Sequence, residues 1–201
     1  RQMCIRDSYF TTPEGPTRTR TITVNVWDDS MTMTTAGGVF SGTRLDPGTA
    51  VLMRSVTPPP SNGTFLDLGC GYGPIACALA RACSGSHIVA VDVNDLAIDL
   101  TTRNAKALRV GDRVHACRPE EVYPDLRFDE IWSNPPIRVG KAALHEILTT
   151  WLARLSDEGV AHLVVGKNLG ADSLTSWLCE QGFDAARVAS AKGFRIIDVH
   201  A

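Results

Sequence analysis

From residue 64 onward the chain alternates two kinds of apolar pattern. Short apolar runs of strand length recur at 65–68, 87–93, 114–117, 128–132 and 162–165. Between them lie stretches with helical spacing. The clearest runs over 141–155, where Leu144, Ile147, Leu148, Trp151, Leu152 and Leu155 fall on one helical face. Small apolar residues from Ile75 to Ala82 predict a helix able to lie close on a sheet. Asn94 suits an N-cap with Gly111 as the stop, and Asp172 suits the N-cap of a helix carrying Leu174, Trp177 and Leu178 that ends at Gly182. Two final strands, 185–189 and 194–199, are close enough to form an antiparallel hairpin. Strand and helix in alternation predict an α/β, doubly wound, mostly parallel sheet.

Before residue 64 the pattern differs. Residues 21–27 alternate β-branched and polar positions, as a half-buried strand does, and 37–41 read as a second short extended piece. Asp46-Pro47-Gly48 opens a short helix through Val51, Leu52 and Val56. The Pro-rich stretch 58–63 is a stiff linker. Residues 1–8 have no periodicity and resemble a non-native leader, so they are set aside. The expected organisation is 9–60 as strands and a short helix packed on the core, and 61–201 as the main unit.

Composition narrows the function classes. The chain has 201 residues, 44% of them hydrophobic, which suits one well-filled core. A formal net charge of -2 announces no global basic field. No apolar run approaches membrane-spanning length. The six cysteines form no Cys-x-x-Cys pair and sit among apolar or small residues, so they read as reduced buried thiols rather than zinc ligands or disulfides.

Two stretches carry candidate chemistry. In Asp67-Leu68-Gly69-Cys70-Gly71-Tyr72-Gly73-Pro74 a strand breaks into a glycine turn and opens a helix. Alternating glycines allow a tight bend and close approach to a ligand, and Pro74 suits the first helical turn. Dinucleotide folds use such a turn too, but there a pyrophosphate sits on the helix N-terminus. Asp67 would repel it and would attract the ammonium and sulfonium of S-adenosylmethionine (SAM). Asp92, ending the next strand, suits a ribose diol.

The second stretch is Ser133-Asn134-Pro135-Pro136-Ile137-Arg138. Consecutive prolines hold the backbone rigid, and Asn134 adds a side-chain oxygen. Two fixed acceptors, the Asn134 oxygen and the Pro135 carbonyl, are what methylation of a planar amine requires. They hold its hydrogens and aim its lone pair. Arg138 and Lys141, with Arg44, Lys167, Lys192 and Arg195, are candidate phosphate contacts.

These two motifs resemble the class I SAM-dependent methyltransferases of the small-domain type. Gly38-Val39-Phe40-Ser41 and Leu45-Asp46-Pro47-Gly48-Thr49 resemble the ribosomal RNA small-subunit methyltransferase C group, which methylates guanine N2 in 16S rRNA. The resemblance implies a seven-stranded Rossmann-like sheet with a C-terminal antiparallel hairpin. It implies SAM held by Asp67, Gly69, Cys70, Gly71, Tyr72, Gly73, Asp92, Val93 and Asn134. It makes Asn134, Pro135, Pro136 and Ile137 the catalytic turn, and Phe40, Arg138 and Lys141 the substrate contacts. It further implies ribosomal RNA or the small subunit as partner, no metal, no membrane and a cytoplasmic location. Related enzymes with an Asn-Pro-Pro-Tyr motif methylate a glutamine of release factors, and a non-catalytic SAM-binding RNA-assembly module is the other alternative. Ile137 stands where the family carries Tyr or Phe to stack on the base. Phe40 and Trp132 are the rings available to replace it, Trp132 being placed by its strand for a core role.

Overall fold

The computed structural model describes residues 18–39 and 44–201. Seven strands form one sheet: β3 (Thr64–Leu68), β4 (His87–Val91), β5 (Val114–Cys117), β6 (Phe128–Ser133), β7 (Leu155–Gly166), β8 (Asp184–Ala191) and β9 (Phe194–His200). Their order is β5-β4-β3-β6-β7-β9-β8. β5 through β7 run parallel, and β9 pairs antiparallel with both β7 and β8. The order reverses between β3 and β6, where doubly wound sheets leave a crevice beyond their carboxyl ends.

Period-2 alternation sends successive strand residues to opposite faces. Ile131, Leu163, Val165 and Ile197 face α4 (Lys141–Leu152) and α5 (Ala171–Glu180). Phe65, Trp132, Val164 and Ile196 face α2 (Pro74–Ala82), α3 (Asp95–Ala107), α1 (Pro47–Ser55) and a separate hairpin, β1 (Thr19–Val26) with β2 (Asp29–Ala36). Trp27 rests edge-on against Trp132, centroids 5.6 Å apart, and its Nε1 donates to the Val56 carbonyl at 2.9 Å. These contacts hold the N-terminal elements against the sheet.

Several expectations need correction. The second strand is not 37–41 but Asp29–Ala36, in which Met31 and Met33 face the core. Trp27 and Asp28 both take positive φ (47° and 62°), the two-residue turn that matches strand twist without the usual Asn-Gly. Gly37 and Gly38 form a turn, and Phe40 and Ser41 lie outside the described residues, as do 1–17. The helix before β5 ends at Ala107, and Arg109 (φ 60°), not Gly111, takes the left-handed position. Leu155 starts β7 instead of closing α4. Gly170 occupies the α5 N-cap, and Asp172 lies in the first turn paired with Arg195. Among the described residues no helix is long and apolar enough to cross a membrane. Five described cysteines are unbridged, but Cys179 is exposed.

Candidate functional site

Three adjacent strand tips build the site. Leu68 lies in register with Val91 on one side and Ser133 on the other, so the residues that follow emerge side by side. The glycine turn is tied to β4 by the Gly69 and Cys70 N–H groups, both donated to the Val91 carbonyl at 2.8 and 3.0 Å. It is tied to β6 by the Ser133 hydroxyl, which donates to the Leu68 carbonyl at 2.8 Å.

Gly69, Gly71 and Gly73 all take positive φ. A Cβ on Gly69 or Gly71 would meet nothing within 4 Å, so the turn borders open space there. At Gly73 it would lie 2.8 Å from the Thr101 side chain, so that glycine is fixed by packing. Cys70 and Tyr72 bury their side chains and offer the site only backbone. The Tyr72 hydroxyl has no hydrogen-bond partner; burial raises its pKa, and the nearby Asp46 carboxylate adds to the rise.

Asp67 is 1% exposed. Its Oδ2 accepts the Ala76 N–H at 2.9 Å, while its Oδ1 is buried without a partner. Burial raises its pKa to about 7, the Ala76 bond opposes this, and the Asp92 charge adds to it. Asp92 is set between two N–H donors, Gly71 at 3.0 Å and Asn94 at 3.0 Å. Its pKa is also raised by burial, against the pull of those bonds. Val93 follows with an exposed side chain. Asn94 caps α3 and also donates to the Gly38 carbonyl at 3.0 Å, fastening the hairpin's outgoing end to this tip.

At the β6 tip, the Ile137 N–H donates to the Pro135 carbonyl at 2.8 Å. Pro136 sits at φ -76°, ψ 70°, the values of an inverse γ-turn, for which the pyrrolidine ring is already set. One lone pair of the Pro135 carbonyl is thereby held and one remains. The Asn134 amide nitrogen donates to Asp46 Oδ2 at 2.7 Å and to Thr49 Oγ1 at 3.1 Å. Ile137 is half-buried and borders a cavity of about 180 Å³ with Lys141, Leu144, His145 and Leu169. The larger cavity, about 470 Å³ beside Trp27, Arg109 and Arg113, lies off the opposite end of the sheet and takes no part in this site.

Lys141, Lys167 and Lys192 are exposed at the carboxyl end of the sheet, the Lys167 N–H bonding to the Gly193 carbonyl at 2.8 Å. Arg195 is committed to Asp172 and does not join them. Trp132 is wholly buried, so it cannot stack on a substrate in place of an aromatic at 137. Phe40 and the Arg138 side chain lie outside the described residues. The sequence reading missed Asp46 and Thr49 as partners of Asn134. The signal present was an Asp-x-x-Thr helix start, which carries no hint of a residue 85 positions away.

A ligand that fits this crevice sets a diol against Asp92, fills the open space over Gly69 and Gly71, and carries a positive charge to offset the buried Asp67 carboxylate beneath the turn. SAM has those groups. The sequence matches the methyltransferase small domain model over residues 30–198. It is 30% identical to YbxB of Bacillus subtilis (strain 168) across 94% of this chain and 95% of that protein. It is 34% identical to ribosomal RNA small subunit methyltransferase C of Aeromonas hydrophila, across 65% of this chain and 37% of that protein. The solved T. thermophilus 16S rRNA N2 methyltransferase RsmC, in complex with AdoMet and guanosine, superposes with a TM-score of 0.78 at 25% identity, covering 94% of this chain and 52% of that one. The chain thus spans about half or less of the rRNA methyltransferases it matches.

Proposed function

The chain belongs to the methyltransferase small domain family, and on that premise we propose that it methylates the exocyclic N2 amine of a guanine in small-subunit ribosomal RNA, a cytoplasmic substrate. The observation that carries this is the Asn134 amide, whose nitrogen is spent on Asp46 and Thr49 so that its oxygen remains for a ligand. That oxygen stands on the strand tip next to the glycine turn. Bound SAM supplies a methyl group made electrophilic by its sulfonium.

The protein's own residues orient the acceptor. An exocyclic guanine amine is planar, its lone pair delocalised into the ring. With one hydrogen on Asn134 Oδ1 and the other on the Pro135 carbonyl, the nitrogen is held so that its lone pair faces the Asp67 side of the crevice. Fixed dipoles that need no reorganisation supply the stabilisation as the nitrogen becomes cationic. No strong base is required beforehand: both hydrogens become acidic as the nitrogen turns cationic, and one of them is then lost to water. Lys141, Lys167 and Lys192 would meet phosphates around an extruded base. The names of the rRNA methyltransferase relatives, and guanosine in the T. thermophilus complex, support this acceptor over a protein glutamine.

The test offers labelled SAM with naked rRNA, small subunits and release factor in parallel, then maps the modified atom by mass spectrometry. Guanine N2 in small-subunit RNA is the expected product. Asn134→Ala should lower transfer by on the order of 10²–10³-fold. A label on glutamine, or SAM binding without turnover on any substrate, would replace this reading.

A further inference from the structure

The Asn134 side chain has two ends of nearly equal size but opposite polarity, and amine methylation needs the oxygen outward. Nothing in Asn134 itself chooses. The choice is made by its neighbours. Asp46 Oδ2 accepts one amide hydrogen at 2.7 Å and Thr49 Oγ1 accepts the other at 3.1 Å. An amide turned over would press its oxygen on the Asp46 carboxylate and take away that carboxylate's donor, while the Thr49 hydroxyl can serve either way, so Asp46 sets the orientation.

Asp46 is itself immobilised. As N-cap of α1 it accepts the Thr49 N–H at 3.0 Å through the same Oδ2, and Pro47 fixes the first helical position. Gly48 makes the approach possible, since a Cβ there would lie 3.0 Å from Asp46 Oδ2 and 3.3 Å from Asn134 Nδ2. The first turn of a helix from the N-terminal elements therefore reaches across to the catalytic turn of β6.

We infer that Asp46 and Thr49 are positioning residues that lock the Asn134 amide with its oxygen toward the acceptor amine, a role resting on the proposed use of that oxygen. An acceptor oxygen is required at position 46, and the Thr49 N–H, bonded to the same Oδ2, keeps one facing Asn134.

The test separates an acceptor oxygen at 46 from its charge. In Asp46→Asn the Thr49 N–H holds the new amide oxygen where Oδ2 stood, so the cap and the acceptor for Asn134 both persist, and melting temperature and kcat should stay near wild type. Asp46→Ala removes that oxygen. It should melt lower for loss of the cap, and its kcat, measured well below the melting point, should fall by about 10- to 10²-fold while KM for SAM stays unchanged. Thr49→Val keeps the cap and should show a smaller kcat loss at unchanged KM for SAM. Wild-type kcat in folded Asp46→Ala while Asn134→Ala is inactive would overturn the inference alone. Full activity in Asn134→Ala would remove the reading of the site beneath it, and the inference with it.

Discussion

One rung of the sheet carries two carboxylate neighbourhoods, one around the buried His162 and one at the buried Asp67, that have opposite fates. Asp67, Trp132, His162 and Asp198 lie in register across β3, β6, β7 and β9. At one end, His162 Nδ1 bonds Asp198 at 2.7 Å, and its Nε2 lies 3.7 Å from Glu130, which accepts Trp132 Nε1 at 2.7 Å. Burial pushes the His162 pKa down, but the two carboxylates outweigh it and hold it at about 9. At the other end, Asp67 has no cation and one oxygen without a partner. Buried charge that the fold itself balances is architecture. Buried charge left unbalanced, beside open space, is a place kept for a ligand.

The largest expected effect tests the balanced end. His162→Ala leaves Glu130 and Asp198 without their shared cation and should cost about 3–5 kcal/mol in urea unfolding. SAM affinity should stay near wild type, because the buried Trp132 stands between the two neighbourhoods. The folded pKa of about 9 exceeds the ordinary histidine value of 6.5, so this contribution is complete below 6.5 and is lost as pH rises through 9. A variant that folds well but loses SAM would erase the distinction.

The next effect tests the unbalanced end. Asp67→Asn keeps an acceptor for the Ala76 N–H but removes the charge. SAM affinity by calorimetry should fall about 10- to 10²-fold, the size of a charged hydrogen bond. Stability should behave differently. The folded pKa of about 7 lies above the ordinary 3.8, so the favourable contribution is present below 3.8 and is gone once pH passes 7. Above pH 7 the ionised carboxylate opposes the fold, and the variant should melt no lower than wild type at pH 8. In the wild type, SAM binding should weaken as pH drops below 7, because a proton must leave Asp67 first. Binding insensitive to pH across that range would mean the cation sits elsewhere.

Much of this was legible from residues alone. The strand-turn-helix at Asp67–Pro74 and the turn at Asn134 are local, and local signals survive without knowledge of the fold. The parallel sheet followed from alternation, and its closing hairpin from the short gap at 190–193. What sequence could not carry was pairing across distance. Asp46 reads as a helix cap and is one, but its bond to Asn134 spans 88 positions. Arg195 reads as a free cation until β9 is seen beside α5. Methionines at Met31 and Met33, lacking β-branching, concealed a strand that its partner β1 and the hydrophobic face impose.

The smallest effect separates function from packing within one turn. Gly73→Ala meets Thr101 at 2.8 Å, and Thr101 cannot retreat, since its hydroxyl donates to the Gly71 carbonyl at 3.1 Å. The left-handed backbone adds about 1–2 kcal/mol, so a marked drop in melting temperature should follow. Trimming the obstacle in Gly73→Ala/Thr101→Ala should recover the clash but not the backbone cost. Gly69→Ala carries a similar φ of 81° with nothing within 4 Å, so it should lose only that 1–2 kcal/mol. Its methyl would nonetheless project into the open space over the turn, and SAM affinity should drop although the fold persists. Equal melting losses in both single variants, with SAM affinity intact in Gly69→Ala, would show that the space above Gly69 is not where the donor lies.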